Sequence, residues 1–231
     1  MEQVIRVGLD TSKQVFQVHG VDAGERVVLR RQLRRGELGR FFGALGATLI
    51  GLEACGGSHH WARVLRGLGH EVRLLPPSYV KTYRKRRSKN DARDAEAICE
   101  ALGRPSMRFV PVKTEAQQAA LMLHSARELL IKQRTMLVNA IRGHAAEFGI
   151  VAAQGLGKLS ELLERVRSSD IPELARRMIE LLASQIDPLD MKLREIDTRL
   201  RDWFSTSPES QRLATIFKLP ILFFVSSLQA G

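Results

Sequence analysis

Hydrophobic spacing divides the chain into two halves that follow different rules. In the front half, short branched apolar runs alternate with turn residues. Val4 to Asp10 and Val15 to Gly20 are two such runs, and Gln3 to Gln32 reads as a three-stranded meander turned once at Asp22-Ala23-Gly24. Gly36 to Leu45 predicts a short helix. Thr48 to Glu53 predicts a fourth strand, broken by Gly56-Gly57, after which Ser58 caps a helix reaching Leu68. Glu71 to Leu75 reads as a fifth strand stopped by Pro76-Pro77, followed by a second short helix. Asn90 or Ser88 then caps a helix from Asp91 to Leu102. Strands joined by crossover helices predict a layered α/β domain over residues 1–113.

The back half changes period. Leu123, Ala126, Leu130, Leu137, Ile141 and Phe148 recur at three, four or seven, which predicts one long amphipathic helix from about Glu115 to Phe148. Gly149 to Lys158 is a glycine- and alanine-rich break. A second stripe runs through Leu174, Met178, Leu182, Ile186, Leu189, Leu193, Ile196, Leu200 and Trp203, with coiled-coil-like spacing. Pro188 lies within it, so the stripe kinks there or a new helix begins at Asp187-Pro188. Residues 114–207 therefore form a helical region, either an antiparallel pair, a dimerisation arm or an ordinary helical core. Residues 208–231 stand apart from it.

Composition narrows the classes. The 231 residues are 44% hydrophobic and 26% charged, which supports a buried core and excludes wholesale disorder. Two cysteines exclude a disulfide-dense scaffold. No signal peptide is recognisable at the N-terminus, and the longest apolar run, Leu219 to Val225, is far short of the roughly 20 residues that span a bilayer. The expected setting is the cytoplasm, or the nucleoid within it, with no membrane partner. The formal charge is +11. It is concentrated in residues 1–113, which hold 21 basic against 11 acidic residues; residues 114–231 hold 15 against 14. A polyanionic partner follows from the sign and size of that charge. Arginine outnumbers lysine 27 to 9, which suits phosphate contacts but also follows from a GC-rich genome.

Four carboxylates give the sharpest chemical signal. Asp10 ends the first strand and Glu53 the fourth; Asp91 and Asp94 are three apart and share one face of a helix. Neighbouring strands can deliver the first two acids to one sheet edge, and the helix can close the site from the side. Gathered acids repel and raise one another's pKa. Divalent cations remove that repulsion, and Mg²⁺ takes oxygen ligands and serves phosphoryl transfer. Taken singly, Asp10, Thr11 and Ser12 also read as turn residues, Glu53 as a surface acid, and Asp91 and Asp94 as first-turn acids favoured by the helix dipole.

Three blocks carry a resemblance: Val7-Gly8-Leu9-Asp10-Thr11-Ser12-Lys13, Glu53-Ala54-Cys55-Gly56-Gly57 and Lys89-Asn90-Asp91-Ala92-Arg93-Asp94-Ala95. They resemble the DEDD-type transposases of bacterial insertion sequences, whose recombination is guided by a bridge RNA. The resemblance spans roughly residues 4–215. It implies an RNase H-like fold akin to Holliday-junction resolvases, with Asp10, Glu53, Asp91 and Asp94 as catalytic Mg²⁺ ligands and Mn²⁺ as a possible substitute. It also implies DNA and guide RNA as partners, and subunit assembly through a helical coiled coil. Members of the family carry a further C-terminal domain with a nucleophilic serine. Here Phe217-Lys218-Leu219-Pro220 departs from the stretch that opens it, and neither Ser226 nor Ser227 sits in a matching motif. The sequence thus reads as a truncated, frameshifted or cut product, with activity in question.

Six of the nine residues from Lys81 to Lys89 are basic: Lys81, Arg84, Lys85, Arg86, Arg87 and Lys89, with Tyr79 and Tyr83 on the N-terminal side. Arginines contact phosphates and tyrosines stack on exposed bases, so this segment is the candidate nucleic-acid contact leading toward Asp91; a solubilising loop is the alternative. Arg26, Arg30, Arg31, Arg34 and Arg35 form a weaker cluster, in which alternation can set Arg26 and Arg30 on one face. Cys55, His59 and His60 lack a fourth zinc ligand nearby. Gly155-Leu156-Gly157-Lys158 lacks P-loop spacing. Two other functions fit the same residues: a structure-specific nuclease, and a non-catalytic nucleic-acid-binding assembly protein. An actin-like kinase would need phosphate-binding glycine loops that are not found.

Overall fold

Alternating branched residues build a five-stranded mixed sheet in this computed structural model, which describes residues 3–83, 91–153 and 155–206, without the side chains of residues 91, 92 and 156. The chain divides into two units, Met1–Glu115 and Ala116–Ala230. In the first, β1 (Arg6–Thr11), β2 (Val15–Val21) and β3 (Val27–Arg34) form the expected antiparallel meander. β4 (Leu49–Glu53) and β5 (Glu71–Leu75) extend it from the other side of β1 as parallel strands, giving the order β3-β2-β1-β4-β5. Parallel neighbours need crossovers. These are α1 (Leu38–Ala44) between β3 and β4, and α2 (Ser58–Gly67) between β4 and β5. α3 (Pro77–Tyr83) and α4 (Asp91–Leu102) follow.

The expected cap of α2 differs in detail. Gly57 holds the cap position with a left-handed φ of 87°, and Ser58 is the first helical residue, donating from Oγ to the Cys55 carbonyl at 2.8 Å. The glycine is required by that backbone angle, which disfavours a side chain.

Strand alternation separates two cores. Val7, Leu9, Phe16, Val18, Ile50, Leu52, Val72 and Leu74 share one face with Leu38 and Phe42 of α1 and Ala62 and Leu65 of α2. On the opposite face, Leu75 joins Val80 of α3 and Ala97, Ile98, Ala101 and Leu102 of α4. That second face is where Gly8 and Gly51 matter. A Cβ on Gly8 would stand 2.1 Å from the Ala95 carbonyl oxygen and 2.5 Å from the Cys99 nitrogen; one on Gly51 would meet Leu102 at 2.9 Å. The helix backbone lies directly on β1. Its direction follows from the same contacts: Ala95 lies over Gly8, the Cys99 thiol reaches the Arg6 carbonyl at 3.8 Å, and Gly103 abuts the Arg6 guanidinium. α4 therefore runs antiparallel to β1, with its first turn toward the strand's carboxyl end.

The second unit is helical: α5 (Glu115–Ala146), α6 (Leu159–Ser168), α7 (Glu173–Ala183) and α8 (Ile186–Thr206). α5 and α8 pair antiparallel, because Arg127 meets Asp197 and Arg134 meets Asp190, each at 2.5 Å. A core of Val138, Ile141, Ala145, Leu162, Val166, Ile179 and Ile186 ties α5 through α8 together. The second apolar stripe is not continuous. It breaks between α7 and α8, and Pro188 is the third residue of α8, where a missing N–H costs no helical hydrogen bond. Leu174 and Met178 of that stripe are exposed, as is Phe148. Met122, Leu129 and Met136, seven apart on α5, form a further exposed row.

Replacing Gly8 with alanine is expected to destabilise the first unit by about 3 kcal/mol or to prevent its folding, since backbone rather than a flexible side chain stands in the way. A urea midpoint equal to that of the parent chain would contradict the close packing of α4 on β1.

Candidate active site

The registers of β1 decide where the acids lie. β1 pairs with β4 from Arg6↔Leu49 to Leu9↔Leu52, so Asp10 and Glu53 are the next residues on each strand. Successive residues alternate faces. Asp10 therefore shares the face of Gly8, and Glu53 that of Gly51, which is the face α4 covers. The end of β1 also meets the turn after β4, with Thr11 Oγ1 and Cys55 Sγ 3.7 Å apart. The antiparallel course of α4 turns its N-terminal end, carrying Asp91 and Asp94, toward the same edge. One face and one edge of the sheet thus bring Asp10, Glu53 and the first turn of α4 into one region. Asp10, Glu53 and Asp94 are half-buried, and each has an interaction partner. Among the described residues, no three His, Cys, Asp or Glu side chains are close enough to hold one metal ion. The Asp91 side chain is not among those described. The donors available are all carboxylate oxygens, the chemistry that suits a hard divalent cation.

Ser12 is a turn residue: it binds the Val15 carbonyl through its hydroxyl and accepts the Val15 N–H at 3.1 Å, closing the β1–β2 hairpin. Of the basic segment, Lys81 is exposed on α3. Tyr83 is half-buried against the α3–α4 core, and the Arg104 guanidinium lies 5.7 Å from its ring centre, so its ring is already stacked; Tyr79 is the more exposed of the two. Arg84, Lys85, Arg86, Arg87 and Lys89 lie outside the described residues. His59 accepts the Lys113 backbone N–H on Nδ1 at 3.1 Å, so that nitrogen is occupied by the chain itself and not available to zinc.

Residues 7–149 match the model of a transposase family, the DEDD transposases of the IS110 type. A putative transposase of Sinorhizobium fredii is 52% identical over 217 residues, covering 94% of this chain and 56% of that protein. A probable family 20 transposase of Pseudomonas aeruginosa is 45% identical over 215 residues, 91% of this chain and 63% of that protein. The transposase for insertion sequence element IS1111A of Coxiella burnetii is 34% identical over 219 residues, 94% of this chain and 60% of that protein. The chain belongs to the IS110-type DEDD transposase family. It spans about three-fifths of the length of these relatives. All four carboxylates and the whole Lys81–Lys89 segment fall inside the span matched by the family model. Among the described residues, no helix is long and apolar enough to cross a membrane.

Sequence reasoning passed over two buried histidines of the first unit, His19 and His70, of which His19 lies nearer the acids. His19 of β2 is 5% exposed and pairs with Gly8 across the hairpin, beneath α4. Burial lowers its pKa below the ordinary 6.5; Glu96 of α4 pulls it up and Arg30 of β3 pushes it down. Its signal was present only as one polar residue in the run Val15–Val21, indistinguishable from an outward-facing position. His59 is lowered too, by burial and then by Lys113 and Arg63. A histidine whose folded pKa is depressed contributes stability above its unfolded pKa and loses it as pH falls through 6.5 toward the folded value. Unfolding free energy should therefore fall between pH 7 and pH 5, and His19→Gln should reduce that slope in urea titrations; an unchanged slope would remove His19 as a contributor.

Proposed function

We propose that residues 1–115 are the RNase H-like cleavage unit of an insertion-sequence transposase, which cuts and transfers DNA strands under RNA guidance. Asp10, Glu53, Asp91 and Asp94 would hold Mg²⁺, or Mn²⁺ in its place. The observation carrying this reading is the common face and edge of Asp10, Glu53 and the first turn of α4. A sheet of three antiparallel strands extended by two parallel ones supports the RNase H-like assignment. When bound, the cation neutralises the clustered acids and polarises a phosphodiester. The chain's own residues do the rest. Gly8 and Gly51 let α4 approach closely enough for its first turn to reach the strand ends. Thr11 and Cys55 hold the two acid-bearing strand ends side by side. Lys81, Arg84, Lys85, Arg86, Arg87 and Lys89, directly before Asp91, offset the charge of a nucleic-acid backbone on its way to the carboxylates.

The helical unit serves assembly into a homo-oligomer in this reading. Met122, Leu129 and Met136 support it, as a heptad-spaced apolar row exposed on a 32-residue helix. Nucleoid association would follow from DNA binding.

A second reading, a non-catalytic assembly protein, is favoured by one observation: no three acids among the described residues stand ready to share an ion. The two readings part on a single assay. Nicking of duplex and branched DNA is measured with and without guide RNA across Mg²⁺ concentrations. Asp10→Asn should lower metal-dependent cleavage at least about 100-fold, more than the loss of an outer-sphere partner, while leaving DNA affinity near that of the parent. Equal cleavage by the variant would refute the metal assignment. Divalent-ion binding without turnover in the parent would favour the assembly protein.

A further inference from the structure

The weaker arginine cluster is split by the sheet in a way alternation alone could not give. A register irregularity at Gly20/Val21 pairs Gly20 with Leu29 but Val21 with Val27, which puts an extra residue into β3 and breaks the expected sharing of one face by Arg26 and Arg30. Arg26 instead lies before β3, 3.4 Å from Asp22. Beyond the irregularity the register is regular: Val15↔Arg34, Gln17↔Gln32, His19↔Arg30. Paired residues of an antiparallel ladder share a face. Gln17 in turn pairs with Asp10. Gln32, Gln17 and Asp10 therefore form one polar row across three strands, and Glu53 is next to it on the fourth. Arg30 and Arg34 flank Gln32 on the same face.

We propose that this face of β2 and β3 is a docking track for the sugar–phosphate backbone of DNA, with Arg30, Gln32 and Arg34 holding the strand and Gln17 passing it to Asp10. The direction of the track, toward a cleavage edge, and the choice of DNA over RNA rest on the functional reading above; the basic face itself does not.

Several observations converge on it. Arg30, Gln32 and Arg34 are exposed, and α4 packs on β1, β2, β4 and β5 but leaves β3 uncovered. Among the described residues, no ion pair engages Arg30 or Arg34; the acids near them are Glu96, which acts on His19 together with Arg30, and Glu37, whose carboxylate accepts the Arg34 backbone N–H at 2.7 Å. Their Cα atoms are about 13 Å apart along the strand, enough for the two guanidinium groups to reach separate phosphates of one DNA strand. Glutamines between them donate to phosphate or sugar oxygens without adding net charge. Gln32 lies about 10 Å from Asp10, two strand spacings across the sheet. The other face of β3 is built differently. Arg31 lies 5.3 Å from the Phe41 ring centre, and Arg35, just past the strand, 4.8 Å from that of Trp61, so both cover the apolar core. DNA is favoured over RNA as the occupant because the row ends at the acids that would cut it.

The test uses the full chain in EDTA, so that cleavage cannot interfere. Binding of a labelled DNA duplex is followed by anisotropy over a salt series, with an RNA duplex of the same length in parallel. Arg30→Gln with Arg34→Gln should reduce the slope of log affinity against log salt by about two for DNA. Arg31→Gln with Arg40→Gln, the latter an exposed residue of α1, which packs on the opposite face, removes equal charge and should reduce it far less. Urea midpoints near the parent's establish that both pairs fold. Equal losses in the two pairs would mean bulk charge alone and overturn the track; a loss confined to RNA would overturn the choice of DNA. If the Arg30/Arg34 variant binds as the parent does, the track is wrong while the cleavage reading stands. If the parent binds with the stated slope difference yet never cuts, the cleavage reading fails and the track stands.

Discussion

The absence of a Cβ at two sheet positions governs the geometry of the first unit. A helix crossing a sheet normally rides on side chains, about 10 Å above it. At Gly8 the α4 backbone itself lies where a methyl group would be, and at Gly51 Leu102 and Ile98 fill the space. This approach sets the height of α4. Its contacts along β1, from Gly8 back to Arg6, set its direction. Height and direction together put the first turn of α4 at the strand ends that carry Asp10 and Glu53. Each glycine is two residues before an acid on its own strand, so the residue that admits the helix and the residue that faces its first turn necessarily share a face.

Much of this was legible in the sequence because it depends on short-range rules. The meander, the parallel strands at Thr48–Glu53 and Glu71–Leu75, and the helix Asp91–Leu102 follow from alternation, proline stops and capping residues, and the observed bounds differ by a residue or two. The pairing partners were not legible. That β1 lies between β2 and β4, which makes Asp10 and Glu53 neighbours, is a property of long-range ladders. The split of the arginine cluster shows the limit well. Alternation counted from Arg26 fails because one extra residue in β3 shifts the phase, and a bulge leaves little mark in composition. In the helical unit the stripe marked the helices but not which apolar positions are covered. Leu174 and Leu182 have equivalent spacing, yet Leu182 packs in the core while Leu174 is exposed. Partner elements decide that, and periodicity within one helix does not encode them.

The charge distribution acquires a purpose only against this geometry. A row of carboxylates at a sheet edge repels the phosphates it would have to meet, and the repulsion is strongest where the site is least hydrated. Counter-charge must therefore lie beside the acids rather than among them, since a fixed arginine inside the cluster would take the place of a cation. In the first unit β3 carries such charge, and the sequence adds a basic run just before Asp91. Arg30 and Arg34 lie two strands away from Asp10, separated from it by the neutral Gln17 and Gln32. The Lys81–Lys89 segment precedes Asp91 along the chain, with Asn90 the single residue between Lys89 and the acid. An excess of ten positive charges spread evenly over these residues would favour the same partners, but it would give a bound strand no preferred course toward one edge of the sheet.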